Sequence, residues 1–352
     1  MASFAFALDS CCEPVGGQCH TSPSCDDVCN RSPRPAAAFY PIRHPGPALP
    51  SSPAMGPVTV TDLFTYPIKS CAGVRLNEAR IAATGLELDR YFMLVDEDGD
   101  FLSQRKVPEL ALVVPRIGED ALTLAAPGME PIQIPTEAEP EDSRMVSATV
   151  HGNPVRGQLL PEEVNEWFTS FLPSYKGHRR YRVLRMRDDA PRFVGQRYRR
   201  PEASNRVGFA DGSAMLLASV ASLVELNTHL EQPVPMNRFR PNIVVDGPGL
   251  APYEEDHWQE LTVGGLHAFV TKPCDRCVTT DVDQATAVTG KAVRRALTTR
   301  RGFNAYDPSN TGVFFAQNLN HRPAPGVSVR VGDPVAILSR RVTPNVVLRE
   351  GH

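Results

Sequence analysis

The sequence predicts a mostly β, α+β protein built from two β-barrel-like domains with flanking helices. Three observations predict it. Short β-branched and aromatic runs recur along the chain, bounded by Gly, Pro and Asp turn signals. Apolar stretches of helical period are few and short. The length of 352 residues suits two domains, each large enough to bury a core. No internal repeat is visible.

Residues 1–56 read as a tail or a misassigned start. Nine prolines precede Met55, and strand and helix signals are weak, so too little apolar surface is available to offset the entropy of ordering. Met1-Ala2-Ser3-Phe4 lacks a basic lead-in, and the apolar stretch is too short for a signal peptide. Translation from Met55 is the alternative. Residues 57–180 form the first domain. Val58, Val60, Asp62 and Phe64 alternate with Thr59, Thr61, Leu63 and Thr65, which predicts a strand. Tyr91–Val95 and Phe101–Ser103 flank Asp98-Gly99, which predicts a hairpin. Further strands are expected near 110–115, 120–125 and 146–150. Pro161 opens a helix whose Val164, Trp167, Phe168, Phe171 and Leu172 share one face, and Pro173 stops it.

Residues 181–204 read as a basic linker. The stretch 179–200 holds nine arginines and only two acids, Asp188 and Asp189. It is either a solvated loop or a patch that attracts an anionic ligand such as phosphate. The second domain covers 205–340. Ser219 caps a helix carrying Val220, Leu223, Val224 and Leu230. Strands follow at 242–245, 261–263 and 267–270, with Gly264-Gly265 as a turn. A short basic helix at 291–299 and strands at 327–331 and 335–338 around Gly332-Asp333 complete the unit, and 341–352 is a short tail.

Composition narrows the function. Lys plus Arg is 37 and Asp plus Glu is 40, a net charge of −3, which is poor for a nucleic-acid binder. No apolar run approaches the roughly 18 residues needed to cross a bilayer, so no membrane span is expected. Five of the 8 cysteines crowd the tail (Cys11, Cys12, Cys19, Cys25 and Cys29). Only Cys71, Cys274 and Cys277 remain, so the body reads as cytoplasmic rather than disulfide-built. The tail cysteines match no zinc or iron–sulfur spacing.

Chemistry concentrates in Lys272-Pro273-Cys274-Asp275-Arg276-Cys277-Val278-Thr279-Thr280, at the mouth of a strand. Two cysteines so spaced have four readings. They are half of a zinc site, a thioredoxin-like dithiol, two buried structural thiols, or one thiolate serving a metal or carrying sulfur. Arg276 beside Cys277 would favour its thiolate. Three other segments present polar groups at strand ends: Tyr66-Pro67-Ile68-Lys69-Ser70-Cys71, Leu88-Asp89-Arg90-Tyr91, and Arg238-Phe239-Arg240-Pro241-Asn242-Ile243. Each alone reads as surface charge. Together Lys69, Ser70, Arg90, Arg240 and Asn242 offer the donors that hold a phosphate and a heteroaromatic edge.

With the terminal Val331-Gly332-Asp333-Pro334-Val335, these motifs resemble, in order, the MOSC proteins that carry an N-terminal MOSC-associated β-barrel domain, including the amidoxime-reducing members. The resemblance covers about residues 57–339. It implies a molybdenum cofactor, molybdopterin-bound, between the two β-rich domains. By the same resemblance Cys277 is the metal ligand and catalytic centre, and Lys69 and Ser70 contact the pterin phosphate side. Arg90, Arg240, Asn242 and Arg276 bind the cofactor, as does Ser213, with Gly212 beside it at the place of the family's Thr-Ser pair. The family's Val-Asp-Pro-Asp-Thr-Gly is here Val282-Asp283-Gln284-Ala285-Thr286, and its Phe-Gly-Gln is Phe315-Ala316-Gln317. Both changes blur substrate inference more than cofactor binding.

The implied activity is reduction of small N-hydroxylated compounds such as amidoximes and hydroxylamines. No cysteine follows Cys277, so electrons are expected from an external donor: a flavin reductase, a ferredoxin or a cytochrome b5-like protein. The alternatives are sulfur transfer, as in the MOSC domain of molybdenum-cofactor sulfurases, and a non-catalytic cofactor carrier. Those sulfurases form their persulfide on a pyridoxal-phosphate domain. No chain is spare for one here, so pyridoxal phosphate attaches to this sequence only through domain kinship.

Overall fold

The computed structural model describes residues 56–137, 144–301 and 312–346. The tail with its five cysteines, the Met55 start and residues 347–352 lie outside the described residues. Within them the chain is mostly β with three helices, as expected.

Seven strands close into one barrel. Round the circle these are Ile243–Asp246, Met215–Ser219, Phe314–His321, Leu266–Asp275, Trp258–Val263, Pro334–Arg340 and Val58–Thr65, which pairs back onto Ile243–Asp246. Closure removes open edges. Trp258, Leu261, Val263, Leu266, Ala268, Val270 and Leu319 fill the inside and are fully buried. Only Met215–Ser219 and Ile243–Asp246 run parallel, which requires a crossover. Helix α2 (Val220–Asn227) provides it, and its N-terminus is capped as predicted: Ser219 Oγ accepts from Ser222 N at 3.1 Å. Val224 of that helix faces solvent, 60 % exposed, instead of joining the core.

The first strand departs from simple alternation. A bulge between Val60 and Asp62 shifts its register, so Leu63 and Thr65 turn inward after Val58 and Val60. Asp62 stays outside, where Arg75 Nε donates to it at 2.8 Å. Without the bulge, strict period two would drive the carboxylate into the core. This strand belongs to the first sequence domain but is a stave of the second domain's barrel.

The other β-rich half holds a four-stranded sheet in the order Phe92–Val95, Arg182–Arg185, Asn153–Leu159 and Met145–Val150. Beside it lies a meander of Val114–Ile117, Ala121–Ala125 and Ile132–Pro135. Helix α1 (Glu162–Phe171) follows Pro161 and buries Val164, Trp167 and Phe168. Four expectations need correction. The Asp98-Gly99 turn forms, but Phe101 makes only a single bridge to Val95, and the Phe92 strand takes Arg182–Arg185 as its partner. Residues Pro108–Leu112 are a 3-10 turn, set by Pro108, ahead of the strand expected near 110–115. The stretch 181–204 is no free linker, since it begins with that sheet strand. The Gly332-Asp333 turn also joins strands that do not pair with each other. Ser328–Arg330 pairs with Glu78–Ala82, and Pro334–Arg340 pairs with the barrel.

The site is positioned by the crossing of the chain between the halves. The first strand leaves the barrel at Thr65, and Ile68 and Cys71 plug into the other half's core. Lys69 and Ser70 stand between them.

Candidate functional site

A cavity of about 240 Å³ opens where the barrel meets the other half. All eight residues singled out from the sequence line it: Lys69, Ser70, Arg90, Ser213, Arg240, Asn242, Arg276 and Cys277, with Gly212 alongside. Six cationic side chains face it (Lys69, Arg90, Arg105, Arg240, Lys272 and Arg276) against two carboxylates, Asp211 and Asp275. A cavity so lined is shaped for an anion.

Asp89 organises one wall. It is 3 % exposed and accepts from Arg90 Nη1 at 2.7 and 2.6 Å, from Tyr66 N at 2.9 Å and from Asn242 Nδ2 at 2.9 Å. Arg90 in turn donates to Asn242 Oδ1 at 3.2 Å and to the Arg240 carbonyl at 3.3 Å. Both guanidinium groups lie over the Tyr66 ring, Arg90 at 4.2 Å and Arg240 at 4.3 Å from its centroid. Burial pushes the Tyr66 phenol up to about 12, against the pull of the two arginines, so it stays protonated and donates to the Pro241 carbonyl at 3.1 Å. Asn242 is also tied to Leu216 N and the Phe64 carbonyl. Its amide holds strands and Arg90 together.

Arg240 is 8 % exposed. One nitrogen, Nη1, donates to Gln284 Oε1 at 3.3 Å; Nη2 is buried with no protein partner. Burial, reinforced by the neighbouring Arg90 charge, depresses its titration to about 10. Arg276 shows the same pattern. It donates to the Phe239 carbonyl at 2.7 Å and to Cys274 Sγ at 2.8 Å, while its Nε is buried without a partner. The guanidinium therefore engages Cys274, not Cys277 as the sequence order suggests. Two residues apart on an extended strand point alike, whereas Cys277 opens the 3-10 turn Val278–Asp281 and turns away. Cys277 Sγ is half-buried and donates to Thr279 Oγ1 at 3.2 Å.

Lys69 also lines the cavity, and its Nζ donates to the Phe209 carbonyl at 2.8 Å and to Asp211. Burial lowers the Lys69 ammonium, and Asp211 works against that. Asp211 lies at the mouth with its side chain 65 % exposed. His151 Nε2 reaches it at 3.0 Å. Arg192 donates to the Gly208 and Ala210 carbonyls and so pins the loop that leads to Gly212 and Ser213. Ser70, Arg90 and Arg240 all adopt positive φ (72°, 48° and 54°). Each such residue costs on the order of 1–3 kcal/mol, and such strain gathers at functional sites.

Among the described residues no group of three or more His, Cys, Asp or Glu side chains is placed to hold a metal ion. Cys71 is a packed core residue, its thiol pushed up to about 12 by burial. Several site residues escaped the sequence reading. Asp89 and Tyr66 lay inside quoted motifs but were given no role of their own. Lys272 stood at the head of the quoted cysteine motif with no role assigned, and Arg105 and Asp211 carried no motif at all. Gln104 and Gln284 exchange amide hydrogen bonds at 3.0 and 2.9 Å across the halves, and Gln104 Nε2 also donates to the Ser70 carbonyl at 2.7 Å.

Comparison with known proteins follows the same division. The model for the MOSC N-terminal beta barrel domain matches residues 57–174, and that for the MOSC domain matches residues 204–336. Mitochondrial amidoxime reducing component 2 of Bos taurus is 33% identical over 285 residues, covering 79% of this chain and 82% of that protein. Mitochondrial amidoxime-reducing component 1 of Homo sapiens is 32% identical over 294 residues, 80% of this chain and 83% of that one. Molybdenum cofactor sulfurase of Bos taurus is 30% identical over 259 residues, 69% of this chain but 29% of that protein. With both domain models matched in order and relatives above 30 % identity spanning most of each chain, this chain belongs to the MOSC family, among the members with an N-terminal MOSC β-barrel domain.

Proposed function

We propose that the cavity holds a molybdenum cofactor and that the protein reduces small N-hydroxylated compounds with electrons from an external donor protein. One observation carries the reading: a cavity with four more cations than carboxylates, in which two buried guanidinium nitrogens, Arg240 Nη2 and Arg276 Nε, lack protein partners beside two half-buried thiols, Cys274 and Cys277. Buried donors left unpaired cost about 1–3 kcal/mol each, and an anionic group between them removes that cost. The residues present fit the cofactor.

Cys277 would bind the metal as a soft thiolate. Lys69, Ser70, Arg90 and Arg240 would hold the phosphate-bearing side, and Asn242, Arg276 and Ser213 would contact the rest of the group. When bound, the group supplies a two-electron reducing centre. The overall reaction balances as R–NH–OH + 2 H⁺ + 2 e⁻ → R–NH₂ + H₂O. The chain's own work is binding and orientation. Asp89 fixes Arg90, Arg192 fixes the Gly212–Ser213 loop, and the Gln104–Gln284 pair ties the halves over Ser70. The donor is a flavin reductase, a ferredoxin or a cytochrome b5-like protein. The amidoxime-reducing relatives carry mitochondrial in their names. The cysteine distribution of this chain favours the cytoplasm, so a C-terminal fluorescent fusion should be diffuse, and a mitochondrial pattern would overturn that placement.

The test is metal and pterin analysis of protein from a cofactor-competent host, beside Cys277→Ser. Molybdenum and pterin near one per chain, with the metal lost or its EPR signal altered in the variant, supports the reading. A folded protein with neither sinks it. Reduction of a benzamidoxime by viologen-supplied electrons then separates an enzyme from a cofactor carrier. Sulfur transfer is the second reading, favoured by the Arg276–Cys274 contact and by the sulfurase relative. Sulfide release dependent on Cys274 with an added desulfurase would support it.

A further inference from the structure

Part of the arginine-rich stretch is consumed by the fold: Arg185 is buried, Arg187 pairs with Asp189, and Arg192 pins the site loop. Its last turn is different. Arg197, Tyr198, Arg199 and Arg200 lie along the outer face of the barrel strand Leu266–Asp275. Lys272 Nζ is 4.8 Å from the Tyr198 ring centroid, and Arg197 is 4.6 Å from it. Arg200 is 4.9 Å from the Phe269 centroid, and Arg322 is 5.8 Å from the same ring. Arg199 is 5.2 Å from the centroid of Phe193, itself 48% exposed. Asn320 Nδ2 anchors the turn on the Tyr198 carbonyl at 3.4 Å. Arg197, Arg199 and Arg322 are exposed, Arg200 and Lys272 half-buried. Among the described residues Glu202 and Glu260 lie beside this set, both near Arg200, and Glu260 also meets His267.

We infer that this cationic, aromatic-backed face is where the electron donor docks, and that the donor is a small acidic redox protein. The inference rests on the reading of the site as a reductase. Its geometric basis is that the strand under the face leads into the site. Lys272 lines the cavity, and the same strand runs on through Cys274 to the turn that presents Cys277. A protein seated here lies against the segment that carries the thiol. Arginine heads stacked on rings are held at low entropic cost, so a compact patch suffices for a brief encounter, and electron-transfer complexes bury among the smallest interfaces known. Arg199, Arg200, Lys272 and Arg322 outnumber the carboxylates described on this face, which steers an acidic partner, and salt screens that attraction. The whole chain carries −3, which disfavours a polynucleotide as the occupant.

The probe is an acidic [2Fe–2S] ferredoxin kept reduced by its own reductase, with the full-length holoprotein and the double variant Arg199→Glu/Arg322→Glu. Neither residue lines the cavity. Donor-coupled kcat/KM for benzamidoxime should fall at least tenfold in the variant, and should fall steeply for the wild type between 20 and 300 mM salt. Viologen-coupled turnover should not change. Calorimetric titration of oxidised ferredoxin should show the same loss of affinity without reference to turnover. Arg199→Gln/Arg322→Gln, a milder change, should fall between the two. Equal ferredoxin affinity and salt-flat rates in wild type and variant would refute the docking face. So would a patch that binds a single-stranded oligonucleotide and ignores ferredoxin. Failure of the wild type with viologen would instead refute the reductase reading itself.

Discussion

Replacing Arg240 by Met separates what the site costs from what it does. In the protein alone the Arg240 guanidinium is 8 % exposed, has one unpartnered nitrogen, and lies near the Arg90 charge. Its titration is depressed from 12.5 to about 10, and at about 1.4 kcal/mol per unit this is roughly 3 kcal/mol of destabilisation of the charged form. Set against it are one hydrogen bond to Gln284 and the stack on Tyr66, together about 2 kcal/mol. Arg240→Met should therefore leave the cofactor-free protein as stable as the wild type or about 1 kcal/mol more stable. It should also abolish cofactor loading, because the cation facing the anionic group is gone. The assay is urea unfolding of protein made in a cofactor-deficient host, with molybdenum and pterin analysis from a competent one. A variant more than 1 kcal/mol less stable that still loads cofactor would falsify the claim that this charge serves the ligand rather than the fold.

Other perturbations test neighbouring steps. Asp89→Asn removes the buried partner of Arg90 and should cost about 3–5 kcal/mol, seen as a lower urea midpoint together with cofactor loss; unchanged stability would mean that Asn242 alone can hold Arg90. Burial, then the adjacent Asp256, pushes the Glu255 carboxyl up to about 7. The folded state thus binds the extra proton between the unfolded value near 4.5 and about 7, and stability is lost as pH rises through that window, by about 3 kcal/mol. Glu255→Gln should flatten that pH dependence, and an equally steep curve in the variant would remove Glu255 as its source. Gly85 has φ +114°, and a Cβ there would lie 2.4 Å from the Ala214 carbonyl oxygen. Gly85→Ala should lower stability by about 2 kcal/mol or more and disturb the adjacent Ser213; a neutral thermal melt would refute the close approach.

The fold was legible where local chemistry and burial agree. Ser219 announces a helix because its hydroxyl caps Ser222 N, and Pro161 and Pro173 bracket α1 because proline fits the first and rejects the second. It was illegible where pairing is non-local. Nothing in Val58–Thr65 says that it closes a barrel with strands some 180 and 270 residues away, and the bulge that keeps Asp62 dry-side out leaves no mark in the alternation. The Phe92 strand looked complete with its own turn, yet its edge goes to Arg182–Arg185, because a two-stranded ribbon alone buries too little.

The site divides along the same line. Residues whose polar heads line the cavity stand in short polar breaks at strand ends, and these the sequence shows: Lys69-Ser70, Arg90, Arg240 and Cys277. Residues that aim those donors are spent on other protein groups and resemble ordinary core or surface. Asp89 looks like a turn acid but accepts four hydrogen bonds in the core, and Gln284 looks like loop filler but reaches Gln104 and Arg240. Positive φ at Ser70, Arg90 and Arg240 belongs with this second set, since a serine or an arginine gives no warning of left-handed backbone. Strain of that kind persists only when surroundings over-determine it, and here they do: Gln104 holds the Ser70 carbonyl, Asp89 holds Arg90, and Arg90 holds the Arg240 carbonyl. The three strained residues are thus links in one hydrogen-bonded chain, and the donors left over at its end, Arg240 Nη2 above all, point to the anion for which the chain is arranged.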